Sequence, residues 1–449
     1  MINRHLDPYG YMIPEIFPTG EEPYDPNLPL HIDDEWYGIE YDVTAADPDV
    51  TRIAEGSLNI HAVLPVQSRM RGCLLNDDGT VNYYLKADDW TKKADGLASN
   101  IDGTDGQVMV EIPEHYEKYE TDGDTRRVKV CLNSKAGFTK VNKMYVSAFK
   151  AALNRTNSKL SSVVNLTADY RGGNNNAAWD AGDNTLLGKP CSLISRTNFR
   201  TYANNRGSGW TQMAYNPLKT MYWLYVIEYA TRHSQKTYDG TKTAEGYAKG
   251  GLGNGVTTVA SGTWNTFNSY YPLIPCGTSN SLANASGQVD YTIPNFGDGS
   301  GAVKVNRYRG VENPFGDIWE WVDGINIENI AATSSKAYII EDPANFADNT
   351  SANARTGVDL SLVTGYIKSV VAGAYGDIVA ADAGSSGTGS STYFCDYYYS
   401  GYASYPGWRG LVSGGIANFG TKAGFVCGYS NYAASATFAE IGSRLCFIN

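Results

Sequence analysis

Asn313-Pro-Phe-Gly-Asp-Ile-Trp-Glu-Trp-Val-Asp-Gly324 is the stretch of this sequence that says most about its fold. Trp319 and Trp321 flank Glu320 with a spacing of two, which is the period of a β-strand. The two tryptophans therefore share one face of a strand and are predicted to anchor a hydrophobic core. Glu320 points to the other face, where a carboxylate needs a cationic partner.

Two kinds of partner are open for Glu320. Arg307 and Arg309 lie close in sequence and could pair with the carboxylate, and a structural cation such as calcium could do the same with oxygen ligands. A catalytic role for Glu320 has weak support, because the sequence places no nucleophile or base beside it. We therefore assign Glu320 to the scaffold, predict no catalytic residue and leave metal binding open.

Downstream of this strand, residues 393–438 are unusually rich in tyrosine and glycine. This stretch holds eight tyrosines and eight glycines but only three charged side chains, Asp396, Arg409 and Lys422. Tyrosine offers a large rigid contact surface, and glycine, serine and asparagine offer adaptable hydrogen bonds, as in antibody paratopes. The composition favours a recognition surface, although a soluble β-domain edge is the alternative reading.

Upstream, the chain is predicted to have three parts. Residues 1–50 are rich in proline and aromatic side chains, so they are predicted to form an extended arm that lies against its own body, a neighbouring subunit or a larger assembly. Residues 51–140 read as a small β-rich domain. Residues 141–449 form the main α+β domain, with helical patterns over 145–153 and 218–234.

Within residues 51–140, several short segments are predicted strands. Residues 58–64 form a β-prone run, and the turn Asn76–Gly79 separates two strands of a hairpin. Residues 107–112 and 126–132 follow as further strands, with a charged turn around Asp122.

Composition excludes several classes of function. The net charge is −11 and no basic stripe is visible, which disfavours nucleic-acid binding. No apolar run reaches the roughly 18 residues of a membrane span, and the N-terminal stretch lacks a signal-peptide pattern. The seven cysteines and five histidines are scattered, with neither CxxC nor HExxH, so no disulfide framework or His-based metal site is indicated.

The motif at 313–324 resembles the G-N-x-W-E-W signature of the formylglycine-generating enzymes, which have a C-type-lectin-like fold. Residues 408–415 and 441–445 resemble that family's closing R-G-G and G-F-R pattern. The enzymes bind copper through a cysteine pair in the closing segment, whereas this chain has Cys427 alone there. The resemblance therefore implies the fold without copper oxidase chemistry and without a cofactor, while a structural calcium stays open.

A longer resemblance covers most of the chain. RGCLLNDDG, KMYVSAFKAALNRTNSKLSSV, SRTNFRTYANNRGSGW and YRGVENPFGDIWEWVDGINI resemble the variable target proteins of diversity-generating retroelements in Bacteroides-type phages and prophages. In that family, codon-level diversification varies exposed positions while the fold is kept, and related phage proteins bind receptors at tail-fibre tips. The resemblance implies a diversified region at about 393–440.

The resemblance and the composition together predict the site. Twelve residues are expected on one exposed ligand-binding face: Tyr397, Tyr399, Tyr402, Ile416, Asn418, Phe419, Cys427, Tyr429, Asn431, Tyr432, Ala436 and Phe438. Six residues are assigned to the scaffold beneath it, of which Trp408 is expected to fill the core and Arg444 to pair internally: Trp319, Glu320, Trp321, Trp408, Arg409 and Arg444.

The function that follows is a phage tail receptor-binding protein. Its expected partners are a host-cell surface receptor, protein or glycan, and other tail proteins through the arm, in a virion-borne homotrimer with no nucleic-acid or membrane contact. The alternatives are a formylglycine-generating-type enzyme, or a degenerate relative, and an adhesin on the bacterial cell surface.

Overall fold

The computed structural model describes residues 32–180, 185–238, 273–292, 302–331, 333–355, 357–400, 406–416 and 419–448. Strands dominate these residues. Three α-helices occur among them: α1 (Ile60–Val63), α2 (Arg196–Asn204) and α3 (Tyr215–Tyr229).

The strands of the first half of the chain are short. In chain order they are β1 (Tyr37–Asp42), β2 (Thr51–Ala54), β3 (Arg71–Leu75), β4 (Val81–Lys86), β5 (Asp89–Lys93), β6 (Gln107–Ile112), β7 (His115–Asp122), β8 (Thr125–Cys131), β9 (Thr139–Val141), β10 (Met144–Ser147), β11 (Ala152–Asn154), β12 (Lys159–Ser161) and β13 (Trp210–Gln212).

The second half contains the longest strand, β17. Its strands are β14 (Gly287–Thr292), β15 (Ala302–Tyr308), β16 (Val311–Glu312), β17 (Trp319–Ala331), β18 (Ser334–Ile339), β19 (Val358–Ser361), β20 (Thr364–Ala372), β21 (Asp377–Ala383), β22 (Tyr397–Ser400), β23 (Gly407–Gly414), β24 (Gly424–Ser430), β25 (Ile441–Gly442) and β26 (Leu445–Ile448).

A seven-stranded sheet draws on distant parts of the sequence. Its order is β13-β26-β10-β6-β3-β4-β5. Strand β6, on one side of the predicted boundary at residue 140, is hydrogen-bonded to β10 on the other side. The sheet therefore joins segments that the sequence suggested as separate domains, because their apolar strands complete one another's hydrogen bonds.

A five-stranded sheet includes part of the predicted arm. Its order is β2-β1-β8-β7-β9, and β1 is paired on both sides. Tyr37 and Ile39 of β1 are fully buried, and the Tyr37 hydroxyl donates to Gln67 Oε1 at 2.6 Å. The prediction of an extended arm to residue 50 is therefore wrong for residues 37–42, since their alternating apolar side chains enter the core. Residues 1–31 lie outside the described residues.

The largest sheet carries the candidate site. Its path is β19-β18-β17-β23-β24-β22-β20-β21, and β25 pairs with β17 off this path. Strand β22 runs parallel to β24 and antiparallel to β20. Both strands of the pair β22–β24 are therefore hydrogen-bonded on both edges, because β24 also pairs with β23.

Helix α3 is the buried centre of the molecule. Thirteen of its side chains are buried, from Tyr215 to Glu228, which explains why the segment is apolar around its whole circumference. The predicted helix at 218–234 is confirmed, but it begins at Tyr215 and ends at Tyr229. The shorter α2 was not predicted; Ser195 caps it by accepting from the Asn198 amide at 3.2 Å.

Other local predictions had mixed outcomes. The hairpin across Asn76–Gly79 is confirmed as β3–β4, and β6 and β8 occur where strands were expected. Residues 145–153 are not helical, because they enter β10 and β11 with side chains buried on both faces. Residues 58–64 contain the short helix α1 in place of a strand.

The closing segment connects two sheets. Ile441 and Gly442 pair in parallel with Trp319 and Glu320, so the chain returns beside the tryptophan strand. The chain then leaves this sheet, and β26 inserts between β10 and β13. Leu445, Cys446 and Phe447 of β26 are buried, and Phe447 packs edge-on against Trp210 with 5.2 Å between ring centroids.

Candidate binding surface

A line of aromatic rings crosses one face of the largest sheet. We call it the aromatic ribbon. Neighbouring ring centroids along it are 4.5–5.3 Å apart, from Tyr366–Tyr397 at 5.2 Å to Tyr429–Tyr432 at 4.5 Å. All its members are half-buried, so each ring keeps some surface in water. The ribbon consists of Tyr366, Tyr397, Tyr399, Tyr429, Tyr432 and Phe438 in contact order, with Phe419 beside Tyr399.

Strand register explains how these rings meet. Tyr366 on β20 lies opposite Tyr397 on β22, and Tyr399 lies opposite Tyr429 on β24. Because side chains alternate along a strand, Tyr397 and Tyr399 share the exposed face. Tyr398 points to the other face and is buried, and burial raises its pKa to about 12.

The ribbon rests on the two tryptophans of β17. Trp319 contacts Phe419 edge-on with 5.1 Å between ring centroids, and Trp321 contacts Tyr432 in the same manner at 6.5 Å. Both tryptophans are almost completely buried. Edge-to-face packing of this kind contributes about 0.5–1.5 kcal/mol per pair beyond area burial, so the ribbon has a rigid base.

Glu320 faces a buried cluster of cations on the opposite side of β17. Its Oε1 accepts from Lys150 Nζ at 2.6 Å and from Arg444 Nε at 2.8 Å. Lys150 Nζ also donates to the Ile318 carbonyl at 3.2 Å. Lys150 and Arg444 thus supply the positive charge that a structural cation could have provided.

The two arginines first considered for Glu320 have other partners. Arg307 donates to the Ala283 carbonyl at 2.7 Å, and Arg309 pairs with Glu228 at 2.6 Å. The expectation that either of them pairs with Glu320 is wrong, because Arg444 and Lys150 reach the carboxylate from other elements.

The structure brings most of the predicted face together. Tyr397, Tyr399, Phe419, Tyr429, Tyr432 and Phe438 are ribbon members. Asn431 is half-buried and its Nδ2 donates to the Tyr429 hydroxyl at 3.4 Å. Ala436 is half-buried and packs against the buried cluster that contains Trp319 and Trp321. Tyr402 and Asn418 lie outside the described residues.

Two predicted surface residues belong to the core. Ile416 is 5% exposed and Cys427 is fully buried. Both belong to the buried cluster on which Phe419, Tyr397 and Tyr429 pack, so the larger rings cover the shorter side chains on their own face. The prediction that Ile416 and Cys427 are exposed is therefore wrong.

Trp408 also differs from its assignment, and Arg409 lies beside it. Trp408 is half-buried and packs on Tyr338 with 5.5 Å between ring centroids. It does not belong to the hydrophobic core. Arg409 is half-buried and donates to the Trp408 carbonyl at 2.7 Å. Trp408 therefore does not fill the core as expected, because it lies near the start of β23 at the sheet surface. Arg444, by contrast, is fully buried at Glu320.

Sequence reasoning missed two neighbours of the ribbon. Tyr366 lies on a different strand, and only the register of β20 with β22 reveals it. Lys422 is not among the twelve residues expected on the face, yet its Nζ lies 4.6 Å from the centre of the Tyr397 ring. The alternation of Gly365, Tyr366 and Ile367 was the available signal for a strand with an outward-facing tyrosine.

Two phenols of the ribbon are held in their neutral form. Burial raises the pKa of Tyr399 well above its usual range, and the neighbouring Tyr397 adds to the effect. Burial, followed by the neighbouring Tyr429, likewise raises the pKa of Tyr432. Tyr399 and Tyr432 therefore present neutral hydroxyls, and the Lys422 ammonium lies in contact with the ribbon.

The thiols show little reactive character. All seven cysteines are buried and unpaired, and burial raises the pKa of Cys427 above its ordinary value. Within the described ranges, no group of three or more His, Cys, Asp or Glu side chains is placed to hold a metal ion. No described helix combines the length and apolarity required to cross a bilayer.

No protein-family model matches the chain, and no curated protein matches its sequence. Among solved structures, the chain is similar to PvdO from Pseudomonas aeruginosa, with a TM-score of 0.33 and 10% identity over 78% of this chain and 98% of that one. It is also similar to the U1 and M1 variants of the Major Tropism Determinant, with TM-scores of 0.25 and 0.24 and identities of 12% and 13%. Each of these two likenesses covers 75% of this chain and 72% of the other. TM-scores this low do not establish a shared fold.

Proposed function

We propose that this chain is a receptor-binding protein of a phage tail, and that the aromatic ribbon contacts the host-cell surface. The observation that carries the proposal is the ribbon itself, a continuous line of half-exposed rings on a rigid sheet. Apolar surface left in water forgoes about 25 cal/mol per Å², so clustered exposed rings mark an interaction site.

The origin of the ribbon residues supports the proposal. Apart from Tyr366, its members fall within residues 393–440, where the resemblance to retroelement target proteins implies diversification. Tyr397, Tyr399 and Tyr429 lie on strands that are hydrogen-bonded on both edges, so these side chains can vary without loss of backbone pairing. This is the property that a diversified binding surface requires.

The remaining parts of the proposal follow from the sequence. The C-type-lectin-like fold, a homotrimeric assembly and tail attachment through the N-terminal residues are each proposed from the resemblance. Location in the virion belongs with them, and attachment to the bacterial surface is the alternative location. The protein is proposed not to be an enzyme; the full burial of Cys427 supports this, because a buried neutral thiol is a poor nucleophile.

A triple variant tests the binding role. Tyr399, Tyr429 and Tyr432 are replaced by Ser, and adsorption of the purified protein to a panel of Bacteroides strains is measured. We expect adsorption of the wild type to at least one strain, and a loss of more than about 100-fold in the variant, because central tyrosines are typical binding hot spots.

A double variant provides the matched control. Tyr116→Ser and Tyr375→Ser make the same change at tyrosines outside the ribbon, one half-buried and one 51% exposed. The control should adsorb like the wild type. Wild-type adsorption that the triple variant retains, with both variants melting near the wild-type temperature, would overturn the proposal.

A further inference from the structure

Lys422 lies against the aromatic ribbon and has no acidic partner among the described residues. Its Nζ lies 4.6 Å from the Tyr397 ring centre and 5.8 Å from the Phe419 ring centre. Its hydrogen bond goes to the Tyr399 hydroxyl at 3.4 Å. In a protein of net charge −11, a lysine that pairs with no carboxylate of the described ranges is a specific electrostatic feature of the candidate binding face.

The backbone around Lys422 is fixed from below. Residues Gly420–Lys422 form a 3₁₀ turn, and the buried Gln235 side chain donates to the carbonyls of Gly420 and Ala423, both at 2.7 Å. The Thr421 and Tyr366 hydroxyls are hydrogen-bonded at 2.9 Å. The backbone that carries Lys422 is therefore ordered, so binding need not order this turn.

The chemistry of this position suits an anion. An ammonium carries three N–H donors, and here the Tyr399 hydroxyl takes one. The adjacent ring faces attract the charge but accept no conventional hydrogen bond. A ligand carboxylate, phosphate or sulfate at this end of the ribbon would therefore gain a charge-assisted hydrogen bond without displacing an internal ion pair.

The sheet geometry favours a glycan over an extended peptide. Peptides that bind sheets add a strand at a free edge, but β22 and β24 are each paired on both sides. The two strands therefore offer a ligand only the side chains on the face of the sheet, and these side chains form a single line of aromatic rings. Flat ring faces pack well on the C–H faces of sugar rings.

We propose that the ribbon binds an acidic glycan of the host-cell surface, with the anionic group at Lys422 and sugar rings on the neighbouring aromatic faces. The inference rests on the proposed function and specifies its ligand class. It makes Lys422 a determinant of specificity for charged over neutral saccharides.

A paired glycan array tests this inference with the full-length protein. The array carries oligosaccharides with uronic acid, sialic acid, phosphate or sulfate groups, each beside a neutral counterpart such as the methyl ester. The wild type should bind at least one acidic member about 10-fold or more tightly than its counterpart, which is the range of a charge-assisted hydrogen bond. Lys422→Gln should remove that preference, and Lys422→Arg should keep it.

Lys93 offers the matched control. Its Nζ lies 4.2 Å from the Tyr83 ring centre, on the seven-stranded sheet and not on the sheet of the ribbon, so Lys93→Gln removes the same charge from a similar setting. This variant should retain the preference for acidic members. Equal binding of acidic and neutral members by the wild type, or an unchanged preference in Lys422→Gln, would overturn the inference.

The two proposals fail in different ways. If the triple tyrosine variant loses adsorption while Lys422→Gln adsorbs like the wild type, the ribbon binds the host but the anionic ligand is wrong. If protease treatment of host cells abolishes adsorption while removal of surface glycans does not, the ligand is a protein and the glycan inference is wrong. Adsorption that is insensitive to the tyrosines refutes the binding role itself.

Discussion

At the residue scale, Asp317 is a buried acid that the fold holds at a cost. It is 1% exposed, neither carboxylate oxygen has a hydrogen-bond partner among the described residues, and its φ is +62°. Burial raises its pKa from 3.8 to about 7, against the opposing effects of Lys150 and Lys189. In the folded protein Asp317 therefore keeps its proton over a pH range in which the unfolded chain releases it.

The sign of the resulting pH dependence follows from proton binding. Between pH 4 and 7 the folded state binds the extra proton, so Asp317 makes stability fall as the pH rises through this window. Asp317→Asn should remove that slope and raise the free energy of unfolding at pH 8 by roughly 2–4 kcal/mol. Asparagine tolerates the left-handed backbone, so no new strain is expected.

Urea unfolding at several pH values measures this effect. Asp359→Asn is the control, because the Asp359 side chain is 87% exposed and its replacement should leave the pH slope unchanged. A variant at Asp317 that follows the wild-type slope from pH 4 to 7 would contradict the prediction.

At the element scale, helix α3 ends on an unfavourable residue. Ala230, its C-cap, has φ 52° and ψ 40°, in the left-handed region where a Cβ costs about 1–2 kcal/mol. Ala230→Gly should therefore raise the free energy of unfolding by about 0.5–1 kcal/mol, after allowance for the greater freedom of glycine in the unfolded chain.

Chemical denaturation of two alanine-to-glycine variants tests the C-cap prediction. Ala203 lies inside α2 in a right-handed conformation and is fully buried, so Ala203→Gly should lower stability by about 1 kcal/mol or more. Stability changes of the same sign in Ala203→Gly and Ala230→Gly would contradict the prediction, because it derives opposite signs from the opposite handedness of the two backbones.

Local sequence patterns predicted some secondary-structure elements correctly, and they failed where tertiary contacts determine the secondary structure. The hairpin at Asn76–Gly79 follows from its turn residues, and α3 from its length and apolar content. Residues 145–153 carry a helical spacing, but β6 and β26 flank β10, and that pairing overrides the local preference.

The candidate site was predictable in composition more than in detail. Tyrosines at alternate positions of β22 identified part of the face, whereas the burial of Ile416 and Cys427 depends on neighbours from other strands. Tyr366 joins the ribbon only through strand pairing, which no local pattern in its own segment specifies.

At the scale of the whole molecule, the seven-stranded sheet makes distant segments interdependent. Strand β10 lies between β6 and β26, with Val146 opposite Val110 on one side and Cys446 on the other.

A fragment of residues 141–449 would lack β6 and leave the buried edge of β10 unpaired. We expect this fragment to show no cooperative unfolding, whereas the full chain melts as a unit; circular dichroism melts of both measure this. A fragment with its own sharp transition near that of the full chain would restore a domain boundary at residue 140.

Strand β26 affects which variants of this protein can reach the folded state. It is translated after every strand it pairs with, and after the tyrosine-rich segment that forms the ribbon. A frameshift or stop codon in that segment removes β26 from its place between β10 and β13, and the product cannot complete its core. Under the diversification proposed above, such errors would yield unfolded chains, and the variants that reach the folded state would carry an intact reading frame.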